Sequence, residues 1–355
     1  MKTNIPERIA ALREAMRQQK VDAYIIPSSD PHLSEYPADR WKSREWISGF
    51  TGSAGTIVVT ADKAGLWTDS RYFLQAASQL EGTGIELYKL ALPETPSITE
   101  FLLHELHAGQ AVGLDGQTYS AAEANALANK LSRKEIKLDT SADLIEGIWK
   151  DRPAVPGNPI FEMPEALSGV SVHEKLDRIN NQLRSEGADC LILAALDEIA
   201  WAFNIRGTDV TYNPVVVSYA FVSEDESVLF IKPEKLTAEI SEHLKKEGVT
   251  LAEYSMIRKY LSRLPENSRV FVDMNKTNVS LYDAIPGNCT IVEGISPANH
   301  LKSIKNETEI KGFQNAVVKD GVALTKFYIW LEKQMAEGAQ ITEISAAEKL
   351  TALRA

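Results

Sequence analysis

The sequence predicts an α/β protein in which one unit occurs twice, followed by a third region of long helices. A helical apolar pattern followed by a buried strand occupies residues 9–27, and the same order returns at residues 176–193. Within these segments Asp22 and Asp189 hold matching positions, 167 residues apart. Further on, Gly52 and Gly207 match at an offset of only 155 residues, so the second copy is expected to have a shorter loop. Two copies of one α/β unit are the simplest account of a pattern that returns at a constant offset.

The domain boundaries follow from composition. A chain of 355 residues is too long for one ordinary core. Residues 151–159 are dense in proline and glycine and form the best linker candidate. We therefore expect a first domain at residues 1–155, a second at residues 156–302 and a third region at residues 303–355.

The third region consists of two amphipathic helices. Asn306 or Thr308 could cap a long helix whose apolar residues recur over residues 313–331, and residues 342–345 could cap another. Two helices cannot bury such an apolar face alone. Either they dock on the second unit or the chain is the front part of a longer protein, and we favour the second alternative.

Composition excludes several classes of function. The net charge of −11 argues against broad nucleic-acid binding and against an anionic membrane surface. Cys190 and Cys289 cannot build a disulfide framework, which favours a reduced, cytoplasmic setting. No apolar run resembles a secretory signal or a membrane span. We expect a soluble, cytoplasmic protein that binds neither nucleic acid nor membrane.

The most distinctive stretch is the end of the first hairpin. The hairpin begins at residue 56 and its second strand is expected to end on Asp69 and Arg71, where a helix begins, so that Asp69 or Ser70 is the expected N-cap. The simpler interpretation is a local Asp–Arg pair at a helix start. The alternative is a guanidinium that reaches a ligand or another domain, because its planar fork suits carboxylate and carbonyl groups. In the second copy, strands expected at residues 214–218 and 227–231 rebuild the hairpin, which ends at residues 232–235 without this triplet.

Few other segments indicate chemistry. The glycines of residues 49–55 lead into a strand rather than a helix, which argues against a phosphate-binding loop. The six histidines are scattered, and His32, expected to be exposed in a polar loop, is placed better for function than for packing. Asp197 and Glu198 follow a strand, where a structural polar network is at least as plausible as catalysis. From the residues alone, the chain is an α/β scaffold without a catalytic centre.

Seven motifs resemble those of the three-domain Xaa-Pro aminopeptidases (aminopeptidase P), members of the creatinase/prolidase family. They run in order through the whole chain, which makes the resemblance specific. The motifs are IIPSSDPH at 25–32, SGFTGSAG at 48–55, WTDSRYFLQA at 67–76, IWKDRP at 148–153, ALDEIAW at 195–201, NPV at 213–215 and TEISAA at 342–347.

The resemblance implies a fold and an activity. It implies two tandem creatinase-type N-terminal domains, each a mixed sheet flanked by helices, before a pita-bread α+β metallopeptidase domain that begins in residues 303–355. That domain binds two divalent metals, usually manganese with zinc or cobalt as alternatives, through two Asp, one His and two Glu. It removes the first residue from peptides with proline second by means of a metal-activated water.

The same resemblance implies that residues 1–355 lack the metal ligands and are inactive alone. The partners it implies are peptides with a penultimate proline and the chain's own C-terminal catalytic domain. Members of the family often dimerise, largely through the catalytic domain, so a homodimer stays open.

Carried over by position, Arg71 matches an arginine that contacts bound peptide across the active-site cleft. Ser70 stands where many relatives have glycine. We expect Asp69 to orient Arg71, and His32 and Tyr36 to line the same cleft. The alternative is a creatinase- or prolidase-like protein whose N-terminal domains are a non-catalytic binding or oligomerisation module. Such relatives normally have one of these domains, so the duplication favours the aminopeptidase.

Overall fold

The computed structural model describes residues 4–355, which form two compact units. The first unit contains the residues up to Glu162 together with Val172–Leu301, and the second contains Met163–Ser171 together with Lys302–Ala355. Both copies of the repeat lie in the first unit. The domain boundaries at residues 155/156 and 302/303 stay predictions.

The first repeat is a six-stranded mixed sheet with helices packed on it. Its strand order is β4-β3-β2-β1-β5-β6, antiparallel from β1 through β3 and parallel at the other pairs. The elements are α1 Ile5–Gln19, β1 Ala23–Pro27, α2 Ser43–Ser48, β2 Thr56–Thr60, β3 Ala64–Thr68, α3 Phe73–Leu80, β4 Glu86–Lys89, α4 Ile98–Glu105, β5 Ala111–Leu114, α5 Ala121–Ser132, β6 Lys137–Asp139 and α6 Leu144–Ile148.

The second repeat has the same strand order, β12-β11-β10-β8-β13-β14, with the same parallel and antiparallel pairs. A short strand pair, β7 with β9, adjoins it. The elements are β7 Phe161–Glu162, α8 Val172–Ser185, β8 Cys190–Leu193, α9 Leu196–Ala202, β9 Ile205–Arg206, β10 Tyr219–Ser223, β11 Ser227–Phe230, α10 Ala238–Lys246, β12 Val249–Ala252, α11 Ile257–Leu261, β13 Arg269–Val272, α12 Val279–Tyr282, β14 Thr290–Glu293 and α13 Pro297–Ser303.

The central strands are apolar on both faces because each sheet is covered on both sides. On β1, Tyr24 and Ile26 pack in one hydrophobic cluster, whereas Ala23 and Ile25 pack in the cluster on the opposite face. Alternate side chains of a strand point to opposite faces, so a continuous apolar run is what a doubly covered strand requires.

The two repeats differ most in the connections on either side of α2 and α9. Residues 28–42 join β1 to α2, but only residues 194–195 join β8 to α9, as expected from the shorter loop of the second copy. In the next connection the difference is reversed, because residues 203–218 of the second repeat correspond to residues 49–55 of the first. The strand expected at residues 214–218 is therefore wrong, since β10 begins only at Tyr219.

The repeats are joined by backbone hydrogen bonds that are reciprocal between equivalent segments. Ser120 and Asn278, which precede α5 and α12, form an antiparallel bridge. The Ala121 N–H donates to the Thr277 carbonyl at 2.9 Å, and the Val279 N–H donates to the Tyr119 carbonyl at 2.9 Å. This arrangement ties the two sheets together within the first unit.

The second unit contains α7 Glu165–Ser168, α14 Glu307–Ala336 and α15 Glu343–Arg354. Asn306 caps α14 through a capping box, and its Nδ2 also donates to the Ser168 carbonyl at 2.8 Å. Within residues 4–355 no helix combines the length and the apolarity needed to cross a membrane. Many large apolar side chains of α14 are nevertheless exposed; they are Ile310, Phe313, Val317, Val318, Val322, Tyr328, Ile329 and Met335.

Candidate functional site

The end of β3 is held rigidly up to Thr68. Trp67 is buried, its indole N–H donates to the Pro96 carbonyl at 2.8 Å, and its ring stacks on Tyr88 at a centroid distance of 4.0 Å. The Thr68 hydroxyl donates to the Ala54 carbonyl at 2.6 Å. The residues that follow therefore leave the sheet from a fixed point.

Asp69 holds the Arg71 guanidinium at this edge of the sheet. The Asp69 carboxylate accepts the Arg71 Nε–H and an Nη2–H, both at 2.8 Å, and also the Arg71 backbone N–H at 3.1 Å. The expected pairing of Asp69 with Arg71 is thus present, and Asp69 is the N-cap of the 3₁₀ turn that precedes α3. These bonds lower the pKa of Asp69, so that the carboxylate stays charged.

Arg71 is held on one side and free on the other. Its side chain is 65% exposed, and no residue among 4–355 accepts a hydrogen bond from its Nη1. The guanidinium carbon lies 5.2 Å from the centroid of the Tyr72 ring. A guanidinium fixed by one carboxylate keeps N–H groups available for a second acceptor in a defined direction.

The second repeat carries a pair of reversed sign at the equivalent place. Lys232 and Glu234 follow β11 as Asp69 and Arg71 follow β3, and the Lys232 Nζ lies 2.5 Å from a Glu234 carboxylate oxygen. Lys232 also donates to the Val155 carbonyl at 3.2 Å. The second repeat therefore presents no exposed guanidinium at this edge.

Arg44 supports the glycine-rich segment beside Arg71. Its buried guanidinium donates to the Ser28 hydroxyl at 2.9 Å and to the carbonyls of Phe50 and Gly52. Burial lowers the pKa of Arg44 to about 10. Arg44 is not among the residues predicted from the sequence; the one available signal is the glycine-rich loop itself, whose buried carbonyl groups need a donor.

Gly52 must lack a side chain because two rings pack against it. A Cβ atom at this position would lie 2.3 Å from Phe50 Cζ and 2.7 Å from Tyr72 Cδ1. Such distances are closer than any real Cβ contact, so one of the rings would have to move. The close approach of the backbone to these two rings thus explains the glycine at position 52.

Tyr36 lines a cavity of about 580 Å³ in the first unit. Its side chain is 54% exposed. Ser53 lines the same cavity, and its hydroxyl lies 2.6 Å from the Tyr72 hydroxyl, next to Arg71. The structure therefore brings Tyr36, Asp69 and Arg71 to neighbouring parts of one surface. Their role in binding substrate stays a prediction.

The expectation that His32 is exposed is wrong. Its residue exposure is only 2%, because the ring is inserted between the repeats. Its Nδ1 lies 2.8 Å from the Ala194 carbonyl oxygen and its Nε2 lies 3.0 Å from the Tyr254 hydroxyl, while the ring packs on Tyr219 at a centroid distance of 4.4 Å. Both nitrogens are engaged by the second repeat, so His32 joins the repeats and has no nitrogen left for a peptide.

We expect His32 to make the stability of the chain depend on pH. Burial lowers the pKa of His32, so the folded protein holds the ring neutral while the unfolded chain gains a proton near pH 6.5. Its contribution to stability is therefore present above about pH 6.5 and is lost as the pH falls below it. Urea unfolding at pH 7.5 and 5.5 should show a smaller decrease for His32→Gln than for the unaltered chain; equal decreases in both proteins would contradict this.

The other candidate residues have structural partners. Glu198 is buried, which raises the pKa of its carboxyl group, and it accepts a hydrogen bond from Asn299 Nδ2 at 3.2 Å. Arg206 donates to the Ala200 carbonyl at 2.6 Å. Across residues 4–355 there is no group of three or more His, Cys, Asp or Glu side chains that could hold a metal ion. The described residues therefore do not fit a dinuclear metal centre.

Comparison with protein families identifies both repeats. Residues 8–148 match a family model described as "Creatinase/Prolidase N-terminal domain", and residues 151–309 match a second model of the same description. The chain belongs to the creatinase/prolidase N-terminal domain family. The prediction of two tandem domains of this kind with mixed sheets is confirmed.

The similarity to curated proteins extends over the whole chain. A protein of Laccaria bicolor named "Probable Xaa-Pro aminopeptidase P" is 39% identical over 99% of this chain and 55% of its own length. A protein of the same name from Tuber melanosporum is 37% identical over 98% of this chain and 59% of its own length. The chain thus spans little more than half the length of these relatives.

A solved structure agrees closely with the fold. It is an X-prolyl aminopeptidase from Caenorhabditis elegans, described as a cytosolic enzyme with a di-nuclear active site. The TM-score is 0.92 at 30% identity, and the match covers 98% of this chain and 59% of the other. The predicted resemblance to Xaa-Pro aminopeptidases is confirmed.

Proposed function

We propose that this chain supplies the N-terminal domains of an Xaa-Pro aminopeptidase. The proposed enzyme removes the first residue from peptides whose second residue is proline. The proposal is supported by relatives of that name that match 98–99% of the chain. It is also supported by the exposed apolar side chains of α14, which would be buried against the chain's own C-terminal catalytic domain.

In this enzyme Arg71 positions the peptide. This role is supported by the state of the Arg71 guanidinium. It donates two hydrogen bonds to the Asp69 carboxylate, and the side chain is still 65% exposed. A planar fork held in this way can donate to a peptide carbonyl or carboxylate, and the Asp69 carboxylate fixes its direction. Tyr36 borders the same surface and would contact the same peptide.

The hydrolytic chemistry lies outside the described residues. Two divalent metals bound in the catalytic domain would activate the attacking water. Manganese is the first candidate, and zinc or cobalt are the alternatives. Residues 1–355 alone would then be inactive. A cytoplasmic location and a homodimer belong to the same proposal; the relative from C. elegans is described as cytosolic.

We expect Arg71→Ala to lower kcat/KM of the complete enzyme by about 10- to 100-fold on an Ala-Pro-Ala peptide with added manganese. This range corresponds to the loss of one or two charge-assisted hydrogen bonds. Asp69→Asn should give a smaller loss, because the arginine remains but its direction is no longer fixed. Residues 1–355 alone should show no cleavage.

Lys89→Met is a suitable control, since it also removes an exposed positive charge near this edge. Full activity of Arg71→Ala would mean that Arg71 only forms a local ion pair with Asp69 at the start of the helix. The absence of Xaa-Pro cleavage in every form would favour the binding or oligomerisation module.

A further inference from the structure

The cavity beside Arg71 is built from the segments in which the two repeats differ. Its walls come from residues 28–42 of the first repeat and from the connection at residues 203–218 of the second, together with Arg44 and Glu45 of α2 and residues 51–53. Residues 153–158 between the repeats close one side. Loops that are added to a repeated scaffold carry specificity more often than the scaffold itself.

The positive charges in the cavity wall already have partners. Arg40 donates to the Pro153 carbonyl and to Glu146, both at 3.0 Å. Lys42 pairs with Asp39 at 2.6 Å. Arg44, as described above, donates to the Ser28 hydroxyl and to two backbone carbonyls. These cations are engaged and are poorly suited to bind an anion.

Negative charge in the wall is in excess. Glu35 and Glu45 both line the cavity, and within residues 4–355 neither has an ion-pair or hydrogen-bond partner for its carboxylate. Asp209 lines the cavity as well. Its side chain is 1% exposed, and Oδ2 is bonded to Lys235 and to the Val217 N–H, whereas Oδ1 has no hydrogen-bond partner among the described residues.

Two exposed tyrosines face this excess of negative charge. Tyr36 comes from the first repeat, and Tyr212 comes from the second. Tyr212 is fully exposed and has φ of +61°, a left-handed conformation that is costly for a bulky residue. Aromatic faces together with unpaired carboxylates suit a cation that carries an apolar stem.

The cavity adjoins the proposed peptide-binding arginine. Glu35 lines the cavity and is close enough to Arg71 to favour its positive charge. Ser53 lines the cavity and contacts Tyr72, the neighbour of Arg71. Two residues of the cavity wall therefore lie next to Arg71 or its neighbour, which places the cavity within reach of a peptide bound at Arg71.

We infer that this cavity is a subsite for a lysine or arginine side chain located after the proline of the peptide. The inference rests on the proposed function and adds a substrate class to it. The ammonium or guanidinium group lies among the carboxylates of Glu35 and Glu45, and the aliphatic stem lies against Tyr36 and Tyr212. Asp209 adds negative potential from beneath the wall.

The test compares matched peptides with the complete enzyme. Peptides of the form Ala-Pro followed by three residues would carry lysine at the first, second or third place after proline, or norleucine at the same place. Norleucine keeps most of the aliphatic stem but lacks the charge. At one of these places we expect kcat/KM to be about 5- to 30-fold higher with lysine, the range of a cation near aromatic rings and carboxylates.

Three variants assign the preference to the cavity. Glu45→Gln and Tyr212→Phe preserve shape, and Tyr212→Ala removes the ring. The ratio of lysine to norleucine should fall toward one in Glu45→Gln and Tyr212→Ala but persist in Tyr212→Phe, which retains the aromatic face. Glu81→Gln, an exposed substitution outside the cavity, is the control and should leave the ratio unchanged.

The outcomes separate this inference from the proposed function. Cleavage of the norleucine peptides with a ratio of one at all three places would overturn the inference and leave the proposed function standing. If no peptide is cleaved, the inference is tested by the binding of the same peptides to the 355-residue chain. This binding is monitored through the ring signals of labelled tyrosines. Tighter binding of the lysine peptides that Glu45→Gln abolishes would support the cavity without the peptidase, and equal binding of both series would overturn it.

Discussion

Replacing Lys235 by methionine is expected to lower the free energy of unfolding of this chain by about 3–5 kcal/mol. The Lys235 side chain is 0% exposed and its Nζ bonds to Asp209, whose side chain is 1% exposed. Asp209 in turn accepts the Val217 N–H at 2.7 Å. Methionine fills similar volume but removes the charge, so the Asp209 carboxylate would remain buried without its counter-ion.

A matched control is available three positions before Lys235, at the N-cap of the same turn. Lys232 also pairs with a carboxylate, that of Glu234, but this pair is partly exposed. Lys232→Met should therefore cost only about 0–1 kcal/mol. Urea unfolding followed by tryptophan fluorescence would measure both. Equal effects of the two substitutions would show that burial does not determine the contribution of the Lys235 pair.

The double variant Lys235→Met with Asp209→Asn tests the same cause in another way. Asparagine removes the buried negative charge, so part of the lost stability should return. No recovery would mean that the loss comes from packing around residue 235 rather than from an unpaired charge. Lys235 and Asp209 bond to each other, so the effects of the two substitutions on stability are not expected to add.

The sequence predicts the repeated architecture because its signal is local. Apolar periodicity over residues 9–27 and 176–193 indicates a helix followed by a buried strand in each segment. The structure confirms this order of elements in both repeats. The Asp69–Arg71 pair could also be expected, since its members are two residues apart at the end of a strand. Interactions of this range are encoded in the segment that makes them.

The burial of His32 could not be predicted from the residues next to it in the sequence. Its partners, Ala194 and Tyr254, lie 162 and 222 positions away in the second repeat. A polar loop with proline and serine is typical of an exposed segment, and only the packing of the repeats covers it. No local pattern of residues measures that packing.

The misplaced strand at residues 214–218 has a similar cause. Val215 and Val217 belong to an apolar cluster that also contains Ala38 and Trp41 of the first repeat. These valines are buried against another domain rather than in a strand of their own sheet. An apolar β-branched run reports burial, and it cannot distinguish a strand from an extended segment packed at a domain boundary.

The loops on which the repeats differ also determine how the site is assembled. Tyr36 lies in a connection that the second repeat lacks, and Tyr212 lies in a connection that is longer than its counterpart in the first. Each copy thus contributes one side of the cavity, and the reciprocal hydrogen bonds between the repeats fix the distance between the two sides. The geometry of the cavity therefore depends on the contact between the domains.

Asn278→Ala is expected to weaken that contact and to cost about 2–4 kcal/mol of stability, the sum of a lost helix cap and of unsatisfied buried groups. Asn278 is buried. Its Oδ1 accepts the Leu281 N–H at 2.9 Å, and its Nδ2 donates to the Pro31 carbonyl at 2.7 Å and to the Tyr219 hydroxyl at 3.3 Å. One side chain thus caps α12 and also binds the first repeat.

Ser120 provides a control at the equivalent position of the first repeat. It caps α5 by accepting the Glu123 N–H at 3.1 Å, but its hydroxyl makes no side-chain bond to the second repeat. Ser120→Ala should therefore cost about 1 kcal/mol, the value of a cap alone. Asn278→Ser, which keeps a capping oxygen and loses the amide, should lie between the two. Hydrogen exchange in residues 28–42 should rise in both Asn278 variants but not in Ser120→Ala, because the Asn278 amide donates to the Pro31 carbonyl and the Ser120 hydroxyl makes no such bond. Equal exchange in all three variants would show that the contact between the repeats does not depend on this amide.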